Sequence, residues 1–293
     1  MELDHLYKRL HRPHADRLAL LQKYPQLIER RDDLALEEIT LLNQTGCYEE
    51  AMRKLDSRTF HPWEGGEGKV SAQYQICRVE LAKQLIGRAG QEESGDNRKK
   101  ALLDAISLLQ ECLVFPHNLG EGKLYGAQDN DFYFFLGKAY AMLADLSENE
   151  ADKKHLLQRS TDNYRLGTAG PTEPAAAMYY NDAKPDKIFY AALCYRALGD
   201  EKAARGLFHK LISYGEKHIF DHITMDYFAV SLPDLLVWDG NLDEANRVHC
   251  NYMLALGNYG LGNVAQGAKY LSTVLALNVN HDGARALQSF ISK

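Results

Sequence analysis

Apolar residues recur every three or four positions along most of this 293-residue chain, the spacing that one face of an α-helix requires. Leu34, Leu36, Ile39 and Leu42 form one stripe, and Tyr48, Ala51, Met52 and Leu55 the next. Tyr74, Cys77, Leu81 and Leu85 form a third. No segment alternates apolar and polar residues for long enough to make a convincing strand. The spacing predicts an all-α fold in which short turns join antiparallel neighbours. Residues 1–31 read as two short helices broken at Pro25, and residues 32–293 as helical repeats, the whole forming a single α-solenoid domain. A further break or kink is expected at Pro233.

Several hairpins share a spacing. Gly46 is followed five residues later by Ala51, Gly199 by Ala204, and Gly240 by Ala245. Glycine supplies a positive φ at the turn, and a small residue lets the second helix approach the first. Around Gly199, Tyr195 and Phe208 extend the pattern, and Leu136, Gly137 and Tyr140 repeat its first half. The arrangement resembles the tetratricopeptide repeat, a helix-turn-helix unit that stacks into a superhelix. The implied architecture is a tetratricopeptide-like helical-hairpin solenoid with irregular loop insertions.

Those insertions carry the unusual chemistry. Phe60-His61-Pro62-Trp63-Glu64-Gly65-Gly66-Glu67-Gly68-Lys69 cannot be helical throughout, because Pro62 removes a donor and three glycines loosen the backbone. Its Gly-Glu-Gly-Lys ending returns in Val114-Phe115-Pro116-His117-Asn118-Leu119-Gly120-Glu121-Gly122-Lys123. A third loop, 167–185, holds Tyr179, Tyr180, Asn181, Asp182 and Lys184. Loops rich in aromatic and charged groups are more often binding loops than linkers. The plainer reading is a set of interhelix turns in which glutamate favours a helix N-terminus. The binding reading has the loops on one rim of the stack, with His61, Trp63, Glu64, Glu67, Asn118, Glu121, Lys123, Tyr180, Asn181, Asp182, Asp226 and Asp234 as candidate contact residues.

Taken together, the first two loops, Tyr179-Tyr180-Asn181-Asp182 with Lys184-Pro185-Asp186, and Asp226-Tyr227-Phe228-Ala229-Val230-Ser231-Leu232-Pro233-Asp234 resemble the C-terminal repeat region of a family of large bacterial proteins. In that family an uncharacterised β-rich domain, suspected to act on carbohydrate, precedes tetratricopeptide repeats. The resemblance covers about residues 35–290 and implies a repeat fold in a carbohydrate-related context. The sequence given does not contain the β-rich domain, so the resemblance supplies no mechanism.

Composition limits the alternatives. A net charge of −6 without a basic block argues against nucleic acid as a partner. Apolar runs are too short for a membrane span. Five scattered cysteines without a CxxC pair, behind an N-terminus without a signal pattern, suggest reduced, buried thiols in a cytoplasm. No HExxH, Walker loop, dinucleotide fingerprint or Ser-His-Asp elbow occurs, so neither metal nor other cofactor is expected. The sequence reads first as a binding or scaffold module for a protein partner or companion domain, or for carbohydrate. The other reading is a glycoside hydrolase-like enzyme, or its accessory half, using loop carboxylates such as Glu64, Glu67 and Glu121 with Trp63 as a sugar platform. An enzyme acting on its own is the less expected of these outcomes, and no catalytic residue is assigned.

Overall fold

The apolar stripes become helices packed in adjacent pairs. A computed structural model describes residues 2–63, 66–124, 126–176, 184–224 and 241–291, and among them there is no strand. The helices are α1 (Glu2–Arg9), α2 (His14–Leu21), α3 (Pro25–Arg30), α4 (Asp32–Gln44), α5 (Tyr48–Asp56), α6 (Lys69–Gln91) and α7 (Gly95–Glu111). They continue as α8 (Asn130–Ala144), α9 (Glu150–Leu166), α10 (Pro185–Ala197), α11 (Glu201–His218), α12 (Leu242–Leu261), α13 (Val264–Leu277) and α14 (Asp282–Ile291). The N-terminal segment holds three short helices instead of two: Pro25 starts α3 as expected, and a further break at His11 (φ +51°) and Pro13 separates α1 from α2. Pro233 and its neighbours, including Asp226 and Asp234, lie outside the described residues, as do Glu64, Tyr180, Asn181 and Asp182.

Three turns are built alike. At Gly46, Gly199 and Gly262 φ is +81°, +86° and +84°. In each, the next residue's N–H reaches back to a carbonyl in the last helical turn: Cys47 to Leu42 at 2.8 Å, Asp200 to Tyr195 at 2.9 Å and Asn263 to Asn258 at 2.9 Å. This is the bonding of a helix that ends in a left-handed glycine. Ala51 and Ala204, five residues beyond the first two glycines, are fully buried. A third turn of this geometry sits at Gly262, whereas Gly240 lies outside the described residues. Five residues after Gly262 comes Gly267, where a Cβ would lie 2.9 Å from the Tyr259 ring. Ala245, in the first turn of α12, is exposed.

Two apolar clusters share one helix. The first gathers α4, α5 and the N-terminal half of α6 through Ile39, Leu55, Val70, Tyr74 and Cys77. The second runs from Val79, Ala82 and Ile86 on the rest of α6 through α7, α8, α10, α11 and α12 to Leu287 on α14. The aromatic run of α8 belongs to this core: Phe135 lies 5.5 Å from the Tyr190 ring and 5.9 Å from Phe290 of α14. Of the cysteines, Cys77, Cys112, Cys194 and Cys250 are buried and unbridged. Cys47 departs from the expectation: it is exposed, because it precedes α5 at the turn instead of lying within a helix. No described helix is long and apolar enough to cross a membrane.

The stack curls back on its own beginning. Arg17 of α2, fully buried, makes two bonds of 2.9 Å to Asp4, one of 2.5 Å to Glu37 and one of 3.2 Å to Asn280. His14 Nε2 meets the same Asn280 oxygen at 2.6 Å. Burial alone would lower the Arg17 pKa, but Asp4 and Glu37 outweigh it and hold the guanidinium above its ordinary value. On α4, Gln44 Nε2 donates to Asp282 at 2.9 Å, and Arg285 of α14 donates to the Gln44 carbonyl at 2.8 Å. The last helix thus closes against the second and fourth.

Ala204→Leu tests the shared turn geometry. Ala204 is completely buried where α11 crosses the core, and the extra methylenes should cost about 1–3 kcal/mol. Urea denaturation should register that loss, whereas an unchanged midpoint would mean the crossing is not close-packed.

Candidate functional site

The first two special loops are clamped to one another. The Phe60 N–H donates to the Asn118 carbonyl at 2.7 Å, and the Asn118 side-chain amide donates to the carbonyls of Leu55 and Arg58 at 3.0 Å each. Gly120 adopts φ +71°, and a Cβ there would lie 2.4 Å from the Phe60 carbonyl oxygen. Its neighbour Glu121 places one carboxylate oxygen 2.7 Å from the Gly68 N–H and the other 2.6 Å from the Ser71 N–H. The glutamate of the second loop therefore caps α6, the helix that starts at the end of the first. A carboxylate there satisfies orphan donors and meets the positive end of the helix dipole.

The sequence-selected residues thus divide by role. Trp63 is half-buried against the first apolar cluster, with its ring under Gly66. Asn118 and Glu121 hold loop to loop. Lys123 forms an ion pair with Asp129. Glu67 is exposed. His61 is exposed too, with its ring nitrogen 3.0 Å and its backbone N–H 2.9 Å from Asp32. It edges a surface groove of about 790 Å³ shared with Arg58, Glu38 and Lys54. Partial burial alone would raise the Asp32 pKa; bonds from the His61 backbone, Arg58 and the His61 ring outweigh it and hold the carboxyl below its ordinary value.

The larger concavity lies elsewhere. A cleft of about 860 Å³ is lined by Asn43 and Gln44 of α4, Glu80 and Lys83 of α6, Asp131 of α8, Lys187 and Tyr190 of α10, His249 and Tyr252 of α12, and Arg285 of α14. Most of the contributing helices are the first of their pairs; α14 is the last of the chain, and Tyr48 at the start of α5 is the contribution from a second helix. The volume falls within the range of small-molecule sites.

Its electrostatics are unusual for a helical interior. Lys83 Nζ lies 2.5 Å from Glu80, with both side chains nearly buried, and 5.2 Å from the centre of the Phe135 ring. Lys187 pairs with Asp131 and stands 4.7 Å from the Phe132 ring. Burial opposes the charge on both lysines. For Lys83, Tyr190, Glu80 and Asp131 prevail, and for Lys187, Asp131 and Asp186 do, so both pKa values lie above the ordinary lysine value. Both ammonium groups stay charged at neutral pH and neither is a ready nucleophile. Burial raises the Tyr190 and Tyr252 phenols, so both remain protonated donors. The His281 ring lies 4.6 Å from that of Tyr252, and burial lowers its pKa, so it is neutral at pH 7. Among the described residues no group of three potential metal ligands comes together.

Sequence reasoning missed the cleft because its residues lie on helices and their spacing is that of core positions. The available signal was charge at apolar positions. Glu80 and Lys83 fall within the face marked by Cys77 and Leu81, and Asp131 and Lys187 beside the aromatic runs of their helices. The chain matches no known family model and no solved structure.

Glu121→Ala should leave the Gly68 and Ser71 N–H groups without their acceptor and cost about 1–3 kcal/mol in a denaturant titration; no loss would show that the cap is idle. Asp32 makes a separate pH prediction. Because its folded pKa lies below the unfolded 3.8, its contribution is complete above that value and is lost as pH falls through the folded value. Asp32→Asn should therefore flatten the acid limb of stability measured from about pH 5 to pH 2; an unaltered limb would contradict the pairing.

Proposed function

We propose that the chain is a binding module built from tetratricopeptide-like hairpins, and that its ligand docks in the cleft lined by the first helices of the pairs. The observation that carries this reading is the pair of ion pairs, Glu80–Lys83 and Asp131–Lys187, held nearly buried against an open volume. Buried ion pairs are weak stabilisers, and apolar residues of similar volume would often serve a core as well. Titratable groups gathered in a large concavity mark a site. The loop surface around His61 and Trp63 is the less favoured dock for a companion domain or a carbohydrate, since Asn118 and Glu121 are already committed to internal contacts. The same commitment counts against the glycosidase alternative. A carboxyl pair must face across one glycosidic bond, whereas both oxygens of Glu121 are engaged by the start of α6.

A plug tests the reading. Ala72 lines the cleft from α6 and is half-buried, so Ala72→Trp should fill part of the open volume. A panel of small polar metabolites should contain compounds that raise the melting temperature of the unaltered protein. Those shifts should vanish in Ala72→Trp while its helical circular dichroism persists. A panel without effect, or shifts that survive the plug, would overturn the assignment.

A further inference from the structure

The charges of the cleft come in acid–base couples distributed over its walls. α6 carries Glu80 with Lys83. Asp131 at the start of α8 pairs with Lys187 of α10. Lys184 and Asp186 stand at the entrance to α10, and Asp282 and Arg285 lie three residues apart on α14. Among the described lining residues, four carboxylates therefore meet four cations, beside two histidines. Glu80, Lys83, Asp131 and Lys187 are matched within the wall. Asp282 accepts from the Gln44 amide, and Arg285 uses one Nη on the Gln44 carbonyl.

Asp186, half-buried in the first turn of α10, differs from Glu80, Asp131 and Asp282 in having no hydrogen bond or ion pair to another described residue. Its charge acts on Lys187 and Tyr190 of its own helix, on Tyr252 of α12 and on His281 before α14. It is thus the uncommitted negative pole of the lining. Arg285, on the C-terminal helix, is the positive pole, with a planar fork suited to a carboxylate. A ligand with net charge, once removed from water, would find no surplus of opposite charge in such a cleft. A ligand carrying one charge of each sign would find both poles.

We infer that the cleft takes a small, net-neutral zwitterion of the amino-acid class, with its ammonium toward Asp186 and its carboxylate toward Arg285. The inference rests on the binding-module reading and adds the ligand class to it. The same balance among the described lining residues disfavours phosphates, nucleotides and polyamines.

Isothermal titration of the full chain with charge isosteres tests it. The probes are glycine, 4-aminobutyrate and 6-aminohexanoate, each beside the diamine and the dicarboxylate of the same chain length. At least one amino acid should bind about tenfold more tightly than both of its isosteres. Asp186→Asn leaves a surplus cation and should move the preference toward the dicarboxylate. Arg285→Gln should move it toward the diamine. A purely structural role for either residue would leave the ranking unchanged. Tightest binding by a diamine or dicarboxylate, an unchanged ranking in both variants, or no heat from any amino acid would overturn the ligand class. The module reading would still stand if other compounds gave shifts that the Ala72→Trp plug abolishes.

Discussion

Helix α6 is the member on which the remaining packing depends. Its first half completes the N-terminal apolar cluster and its second half begins the larger one, so the two cores meet along its axis. A helix shared in this way must start at a fixed place. Gly68, in the left-handed region at φ +74°, turns the chain into it, and the Glu121 carboxylate fixes its first turn from the next loop. Charge-assisted bonds to backbone N–H groups are among the stronger polar contacts available to a protein. Here one side chain joins segments about 50 residues apart in sequence to the start of the central helix.

The cleft follows from the placement of α6 and from the return of α14. First helices of successive pairs face inward, and the terminal helix closes the remaining side through Asn280, Asp282 and Arg285. The closure combines polar clasps at α2 and α4 with apolar contact of Phe290 on Phe135 and Tyr190. Arg17 is its buried anchor. Removing one partner of such a buried network leaves an uncompensated charge, so the closure tolerates little variation at Asp4, Glu37 or Asn280.

Much of the fold was legible in the sequence because periodicity and glycine turns are local properties. The stripes at Leu34–Leu42, Tyr48–Leu55 and Tyr74–Leu85 fall within α4, α5 and α6. Gly46 and Gly199 are turns because a positive φ there needs no long-range information. Gly240 lies outside the described residues and Ala245 is exposed, while the turn at Gly262 was not expected because it has glycine at both positions, Gly262 and Gly267. The loop motifs misled in a different way. Gly66-Glu67-Gly68-Lys69 and Gly120-Glu121-Gly122-Lys123 look equivalent, yet Lys69 begins a helix and Lys123 does not. Glu121 serves the other motif's helix, a relation no local pattern encodes. The cleft was the least legible feature, since its walls come from seven described helices whose juxtaposition is set by closure of the stack.

The central claim is that the concave cleft, and not the loop surface, is where this protein meets its ligand. Chemical-shift mapping by nuclear magnetic resonance, using a compound that raises the melting temperature, separates the two directly. Perturbations should converge on Lys83, Lys187, Tyr190, Tyr252 and Arg285. Perturbations centred on His61, Trp63 and Glu67, with the cleft tyrosines unmoved, would contradict the account.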